Sequence, residues 1–151
     1  YLFEQFSDYK EIFEQIEKLI KNCDYTLGKS VDEFERNICA LTGSRFTIGV
    51  GSGTDALFLS LVAAGIKKGD EVITTPYTFY ATIGAIVTVG AKPVFVDIES
   101  DTFNIDANLI EAAITDKTKV IMPVSLFGQP ADIDVIMAIA QKHNLKVIID
   151  D

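Results

Sequence analysis

Apolar residues fall at Ile12, Phe13, Ile16, Leu19 and Ile20, with Lys10, Glu11, Glu14, Glu17, Lys18 and Lys21 between them. Spacing by three and four predicts an amphipathic helix over 9–22. A second helix is predicted from Ser30 to about Leu41. Asp32 and Glu33 suit its first turn, where the helix dipole favours acidic groups, and Gly43 follows as a stop. Phe46-Thr47-Ile48-Gly49-Val50 then reads as a buried strand, leading into a helix over about 54–64 that Gly65 ends. Gly69-Asp70 marks a turn before a strand at 71–75, which Pro76 stops. A helix over 78–89, a strand at 93–97 and a short helix at 109–114 come next. A strand at 119–124, a helix at 132–143 and a strand at 146–150 complete the pattern.

Short strands that are apolar on both faces thus alternate with helices of ten to twelve residues. This is the signature of an α/β fold, with a mostly parallel sheet flanked by helices on both faces. Ligands of such sheets bind beyond the carboxyl ends of the strands. The residues at those ends are Gly51 to Thr54, Pro76 to Phe79, Asp97, Ser125, and Asp150 with Asp151. No internal repeat, low-complexity segment or linker interrupts the chain, which reads as one packed unit.

Composition narrows the possibilities further. The chain has 151 residues, 48% of them hydrophobic, and a mean hydropathy of +0.26, so much of it should be interior. No apolar run reaches the roughly 18 residues of a membrane span, and the acidic N-terminus is unlike a signal peptide. A cytoplasmic protein is expected. Thirteen basic and 22 acidic residues give a net charge of −9, which argues against nucleic acid as a partner. Cys23 and Cys39 are too few for a disulfide framework and fit no metal motif, so both are expected to be reduced thiols.

The candidate chemistry begins at Gly49-Val50-Gly51-Ser52-Gly53-Thr54-Asp55. A strand, a glycine turn and a helix N-terminus together make an anion site, because the first N–H groups of a helix have no partner inside it. Glycine lets a phosphate approach the backbone, and Thr54 adds a hydroxyl. The same residues also suit a plain turn with Ser52 or Thr54 as N-cap. No Gly-Lys-Ser/Thr closes a Walker loop, and the glycine spacing is not the dinucleotide fingerprint. Asp150 and Asp151 follow an apolar strand. A carboxylate there needs a cation or a donor; a turn or helix cap would serve, and so would a protonated pyridine nitrogen. Phe79 lies among Pro76-Tyr77-Thr78-Phe79-Tyr80, where a ring could pack in the core or stack on a planar ligand, with Thr78 as a polar contact. His143, the sole histidine, stands near a helix C-terminus, where a cation favours the dipole, and a structural role is expected.

A phosphate site, a stacking ring and a deep carboxylate at one sheet edge fit pyridoxal phosphate. The carboxylate would keep the ring nitrogen protonated, so that the ring can accept electrons. Several segments carry a resemblance in order. They are Ser52-Gly53-Thr54-Asp55-Ala56-Leu57, Gly69-Asp70-Glu71-Val72-Ile73, Tyr77-Thr78-Phe79-Tyr80-Ala81-Thr82 and Gly90-Ala91-Lys92-Pro93-Val94-Phe95-Val96-Asp97-Ile98. Asp101-Thr102-Phe103-Asn104-Ile105-Asp106, Pro123-Val124-Ser125-Leu126-Phe127-Gly128-Gln129-Pro130-Ala131-Asp132 and Val147-Ile148-Ile149-Asp150 continue the series. Together they resemble the DegT/DnrJ-type sugar aminotransferases, pyridoxal phosphate enzymes of fold type I, from about Tyr25 to Asp151.

The resemblance implies a set of roles. Ser52, Gly53 and Thr54 would hold the cofactor phosphate, Phe79 would stack on its ring, and Ser125 would line the site. Asp150 would pair with the ring nitrogen. A strand longer by one residue would move that role to Asp151; alignment without a gap favours Asp150. The chain would comprise N-terminal helices plus most of the cofactor-binding large domain, truncated before the family's Schiff-base lysine. None of its own lysines stands in that motif. The implied activity moves an amino group from an amino acid, glutamate, to a nucleotide-linked keto sugar, in a homodimer. A sugar dehydratase with histidine in place of the lysine, or a non-catalytic regulatory relative, are the alternatives.

Overall fold

The structure is a computed structural model that describes residues 2–151, and the side chains from residue 4 onward. The chain divides into two compact units, residues 1–49 and 50–151. Among the described residues no helix is long and apolar enough to cross a membrane.

The first unit is helical. A single turn, α1 (Leu2–Gln5), precedes α2 (Tyr9–Lys21) and α3 (Lys29–Thr42). The predicted period is realised in α2, and Glu17 and Lys21, one turn apart, pair at 2.7 Å. Gly43 caps α3 in the left-handed conformation and donates its N–H to the Cys39 carbonyl, as its position after the last apolar residue predicts. Past this cap the expectation of a buried strand fails. Residues 46–50 form no strand among the described residues, and Phe46 and Ile48 are 73% and 78% exposed. An apolar extended segment becomes a strand only where a sheet edge accepts its N–H and C=O groups. The sheet of this chain is built from later residues alone, and the Gly49 N–H bonds instead to the Glu35 carboxylate at 2.7 Å.

The second unit carries the predicted alternation. Its elements are α4 (Gly53–Ala63), β1 (Glu71–Thr74), α5 (Tyr80–Thr88), β2 (Lys92–Phe95), α6 (Ala107–Ile110), β3 (Thr118–Ile121), α7 (Ile133–His143) and β4 (Lys146–Val147). A 3-10 turn, Glu111–Ala113, extends α6. The strands form one parallel sheet in the order β2-β1-β3-β4. Successive strand side chains point to opposite faces, and both faces are apolar. Val72 and Val120 join Leu57 and Leu61 of α4 and Ile86 of α5 in one core. Ile73 and Ile121 join Ile110 of α6 and Ile136 of α7 in the other. This is the helix–sheet–helix layering that the two-sided apolar strands predict.

Pro123 shortens β3 relative to the sequence expectation. Pro93 is tolerated because β2 is an edge. Pro123 has no N–H to donate, so the regular ladder of β3 stops at Ile121 rather than at 124. Pairing nevertheless continues irregularly. The Asp150 N–H donates to the Pro123 carbonyl at 3.0 Å, and the Ser125 N–H to the Asp150 carbonyl at 2.9 Å. At the opposite end of the sheet Glu71 is buried. It accepts from the Thr115 hydroxyl at 2.6 Å and meets the Lys92 ammonium at 3.2 Å. The Thr115 hydrogen bond first, and then Lys92, hold its carboxyl below the usual carboxylate range.

Candidate functional site

Strand order decides where the site lies. From β1 the chain passes through α5, on one face, to β2; from β3 it passes through α7, on the other face, to β4. The two connections diverge, and a crevice opens beyond the carboxyl ends of β1 and β3, the switch point of a doubly wound sheet. A cleft of about 330 Å³ occupies that position. Gly53, Thr54, Thr78, Phe79, Thr82, Ser125, Asp150 and Asp151 all line it, with Leu57 and Val124 among its apolar walls.

The amino end of α4 forms one side. Ser52 is the N-cap: its hydroxyl accepts the Asp55 N–H at 3.1 Å and donates to the Asp55 carboxylate at 3.0 Å. The N-cap reading of the glycine turn is therefore realised at Ser52. Ser52 caps the helix and does not line the cleft, whereas Gly53 and Thr54 do. Their N–H groups donate no hydrogen bond among the described residues, so they remain available to an anion at the positive end of the dipole.

Phe79 is the N-cap residue of α5, in extended conformation, and its ring is 73% exposed along the cleft. It is not core. Tyr77, by contrast, turns toward Phe103 and Phe127, with ring centroids 5.8 and 6.3 Å away. The aromatic run thus splits between the cleft and a separate cluster of loop rings.

The two aspartates differ in setting. Asp150 is half-buried and accepts a 2.6 Å hydrogen bond from the Thr82 hydroxyl, while its backbone is fixed between Pro123 and Ser125. Asp151 is exposed and lines the cleft without a hydrogen bond among the described residues. Sequence patterns alone assign Thr82 no role. The one available signal is its place four residues after Thr78, one helical turn away on the same face. His143 lies outside the cleft, in the last turn of α7, and pairs with Glu111 at 2.6 Å, the structural role expected of it.

A parallel α/β sheet with a helix N-terminus, an aromatic ring and a strand-end carboxylate around its switch point defines a class of ligand-binding α/β proteins. Residues 7–151 match the profile of the DegT/DnrJ/EryC1/StrS aminotransferase family. The chain belongs to that family. It is 49% identical over 150 residues to a pleiotropic regulatory protein of Geobacillus stearothermophilus, covering 99% of this chain and 40% of that protein. It is 46% identical over 135 residues to the UDP-2-acetamido-2-deoxy-3-oxo-D-glucuronate aminotransferase of Pseudomonas aeruginosa, covering 89% and 38%. Among solved structures, NtdA of Bacillus subtilis with bound cofactor PMP superposes with a TM-score of 0.93. The identity is 38%, and the match covers 95% of this chain and 33% of that one. The chain thus spans about 40% of the length of these curated relatives.

Proposed function

We propose that this chain supplies the cofactor-binding part of a pyridoxal phosphate-dependent aminotransferase. The enzyme moves an amino group from an amino acid, glutamate, to a nucleotide-linked keto sugar. The observation that carries this reading is the convergence of Gly53, Thr54, Phe79, Ser125 and Asp150, from four separate segments, on one cleft. The donor set fits the cofactor at three points. The unpaired N–H groups of Gly53 and Thr54 suit its phosphate, the exposed face of Phe79 suits its ring, and a carboxylate at the cleft wall suits its ring nitrogen.

Bound pyridoxal phosphate supplies an electron sink next to the carbon that loses or gains a proton. The chain's own residues bind it, orient it and hold its proton. Ser52 holds the start of α4 in register, so that Gly53 and Thr54 present their N–H groups together. Phe79 would orient the ring of a bound cofactor. Asp150 would face the ring nitrogen and favour its protonated form, and it is better placed for this than Asp151 because Thr82 hydrogen-bonds its carboxylate. Ser125 adds a hydroxyl to the wall, and Leu57 and Val124 exclude water from the apolar side. Among the described residues no lysine lines the cleft.

A homodimer in the cytoplasm is part of the proposal. So is its extent: N-terminal helices plus most of the large domain. The test is equilibrium dialysis of the full protein against pyridoxal phosphate. Amino transfer from glutamate to UDP-, GDP- and dTDP-linked keto sugars is then assayed. Saturable cofactor binding followed by transfer to one of them is expected, and failure to retain the cofactor overturns the reading. A regulatory role is a second reading, favoured by the name of the Geobacillus relative. It gains support if the cofactor binds and no sugar is aminated.

A further inference from the structure

Two threonines stand behind Asp150, and their proton count fixes the direction of the hydrogen bonds. Thr82 lies on the inner face of α5, 1% exposed, with its hydroxyl 2.6 Å from Asp150 Oδ2. Thr82 donates its single hydroxyl proton to Asp150. At its second contact, 2.8 Å from Thr78 Oγ1, Thr82 can therefore only accept, and Thr78 donates. The result is a directed chain, Thr78 to Thr82 to Asp150, in which every proton has one destination.

Packing alone does not account for threonine at position 82. Valine has the same shape and would fill the same buried space. A hydroxyl here costs desolvation unless it is bonded, and both its donor and its acceptor capacity are used. Nor is the carboxylate held by its neighbours beyond β3. Those contacts fix the Asp150 backbone, through Pro123 and Ser125, and leave the side chain free to turn. Thr82 comes from 68 positions earlier in the chain and removes that freedom. A carboxylate fixed in advance meets a cationic ligand without having to be ordered on binding.

We propose that Thr82 is a positioning residue that aims the Asp150 carboxylate at the ring nitrogen of the cofactor, with Thr78 aiming Thr82 in turn. This rests on the reading of the cleft as a pyridoxal phosphate site. It makes the α5 turn part of the ring-nitrogen contact, although neither threonine need touch that nitrogen.

The test compares Thr82→Val, which keeps the shape, with Thr82→Ser, which keeps the hydroxyl, in the full protein. Two probes are used: pyridoxal phosphate, and its analogue with carbon in place of the ring nitrogen. Thr82→Val should raise the dissociation constant for pyridoxal phosphate by roughly tenfold, the low end for a hydrogen bond to a charged group. Thr82→Ser should stay within about twofold of wild type, as rescue by the hydroxyl requires. The carbon analogue has no nitrogen for Asp150 to address, so wild type and Thr82→Val should bind it equally. Equal binding of pyridoxal phosphate by wild type and Thr82→Val overturns the proposal. Equal weakening of both probes also overturns it, since that reports a merely structural role. Should Thr82→Val not fold, Thr78→Val, one step up the chain, takes its place with the same probes; the predicted pattern is the same with a smaller factor, and no difference from wild type overturns it. Failure of the wild type to bind pyridoxal phosphate removes the cofactor reading itself, and is seen before any substitution is compared.

Discussion

His143 Nε2 lies 2.6 Å from Glu111 Oε1, and Lys142 Nζ reaches the same oxygen at 2.5 Å. One carboxylate thereby ties the turn after α6 to the last turn of α7. The Lys142 hydrogen bond first, and then that of His143, hold the Glu111 carboxyl below its ordinary value of 4.5. A carboxyl whose folded-state pKa is depressed adds stability above its unfolded value and loses it as pH falls through the folded value. Glu111→Gln should therefore melt below wild type at neutral pH. The gap should persist to about pH 4.5 and close only at lower pH. Melting curves across this range check it, and a gap that is constant down to pH 3 (about one unit and more below the ordinary value) counts against it.

Asp150 and Asp151 are adjacent in sequence but not equivalent in the cleft. Asp150→Asn keeps the shape and the Thr82 hydrogen bond but removes the charge. It should raise the dissociation constant for pyridoxal phosphate at least roughly tenfold, the scale of one charge-assisted contact. Asp151→Asn, at an exposed position without a fixed partner, should change it by about twofold or less. Equilibrium dialysis distinguishes the two, and a reversed order would transfer the ring-nitrogen role to Asp151.

Asn104 is a buried clamp between two loops. Its side-chain amide donates to the Gln129 carbonyl at 3.0 Å and the Pro130 carbonyl at 3.1 Å. Asn104→Ala leaves both acceptors short of a donor. The expected loss is about 1–3 kcal/mol of unfolding free energy, measured as a lower midpoint in urea. No shift in the midpoint would mean that water replaces the amide.

Ser52 should matter to stability more than to direct ligand contact. Ser52→Ala removes the N-cap of α4 and the donor to Asp55, for a loss of about 1 kcal/mol. Ser52→Gly should lose only a few tenths of that. A loss of cofactor affinity in Ser52→Ala far exceeding the loss of stability would show that the hydroxyl reaches the ligand after all.

The sequence reads most clearly where one local rule has no competitor. Val72 and Ile73, adjacent and both fully buried, face opposite cores, as an apolar run in a parallel strand requires. Gly43 ends its helix with positive φ, as its place after the last apolar turn predicts. The cleft is legible for the related reason that strand ends converge on a switch point, whatever the distance between them in the chain. At Phe46 to Val50 the pattern calls for a partner that no described strand provides. Alternation specifies a surface that wants a partner and says nothing of whether a sheet edge is there to provide one. It is incomplete at Thr82, because a buried threonine on a helix looks like any small core residue until its partner, 68 positions away, is placed beside it. Ser52 shows a third limit. The sequence offers Ser52, Gly53 and Thr54 alike, and only geometry shows that the Ser52 hydroxyl caps α4 while Gly53 and Thr54 line the cleft.

The Thr82–Asp150 bond has a temporal side as well. During synthesis α4 and α5, with Phe79 and the threonine pair, leave the ribosome long before the strand that brings Asp150. At roughly 5–20 residues per second, the 68 positions between them take several seconds. Through that interval the Gly53–Thr54 side of the cleft has been made without its Asp150 wall. A ligand that needs both sides of the cleft then meets both only once the Val124–Asp150 bridge has closed.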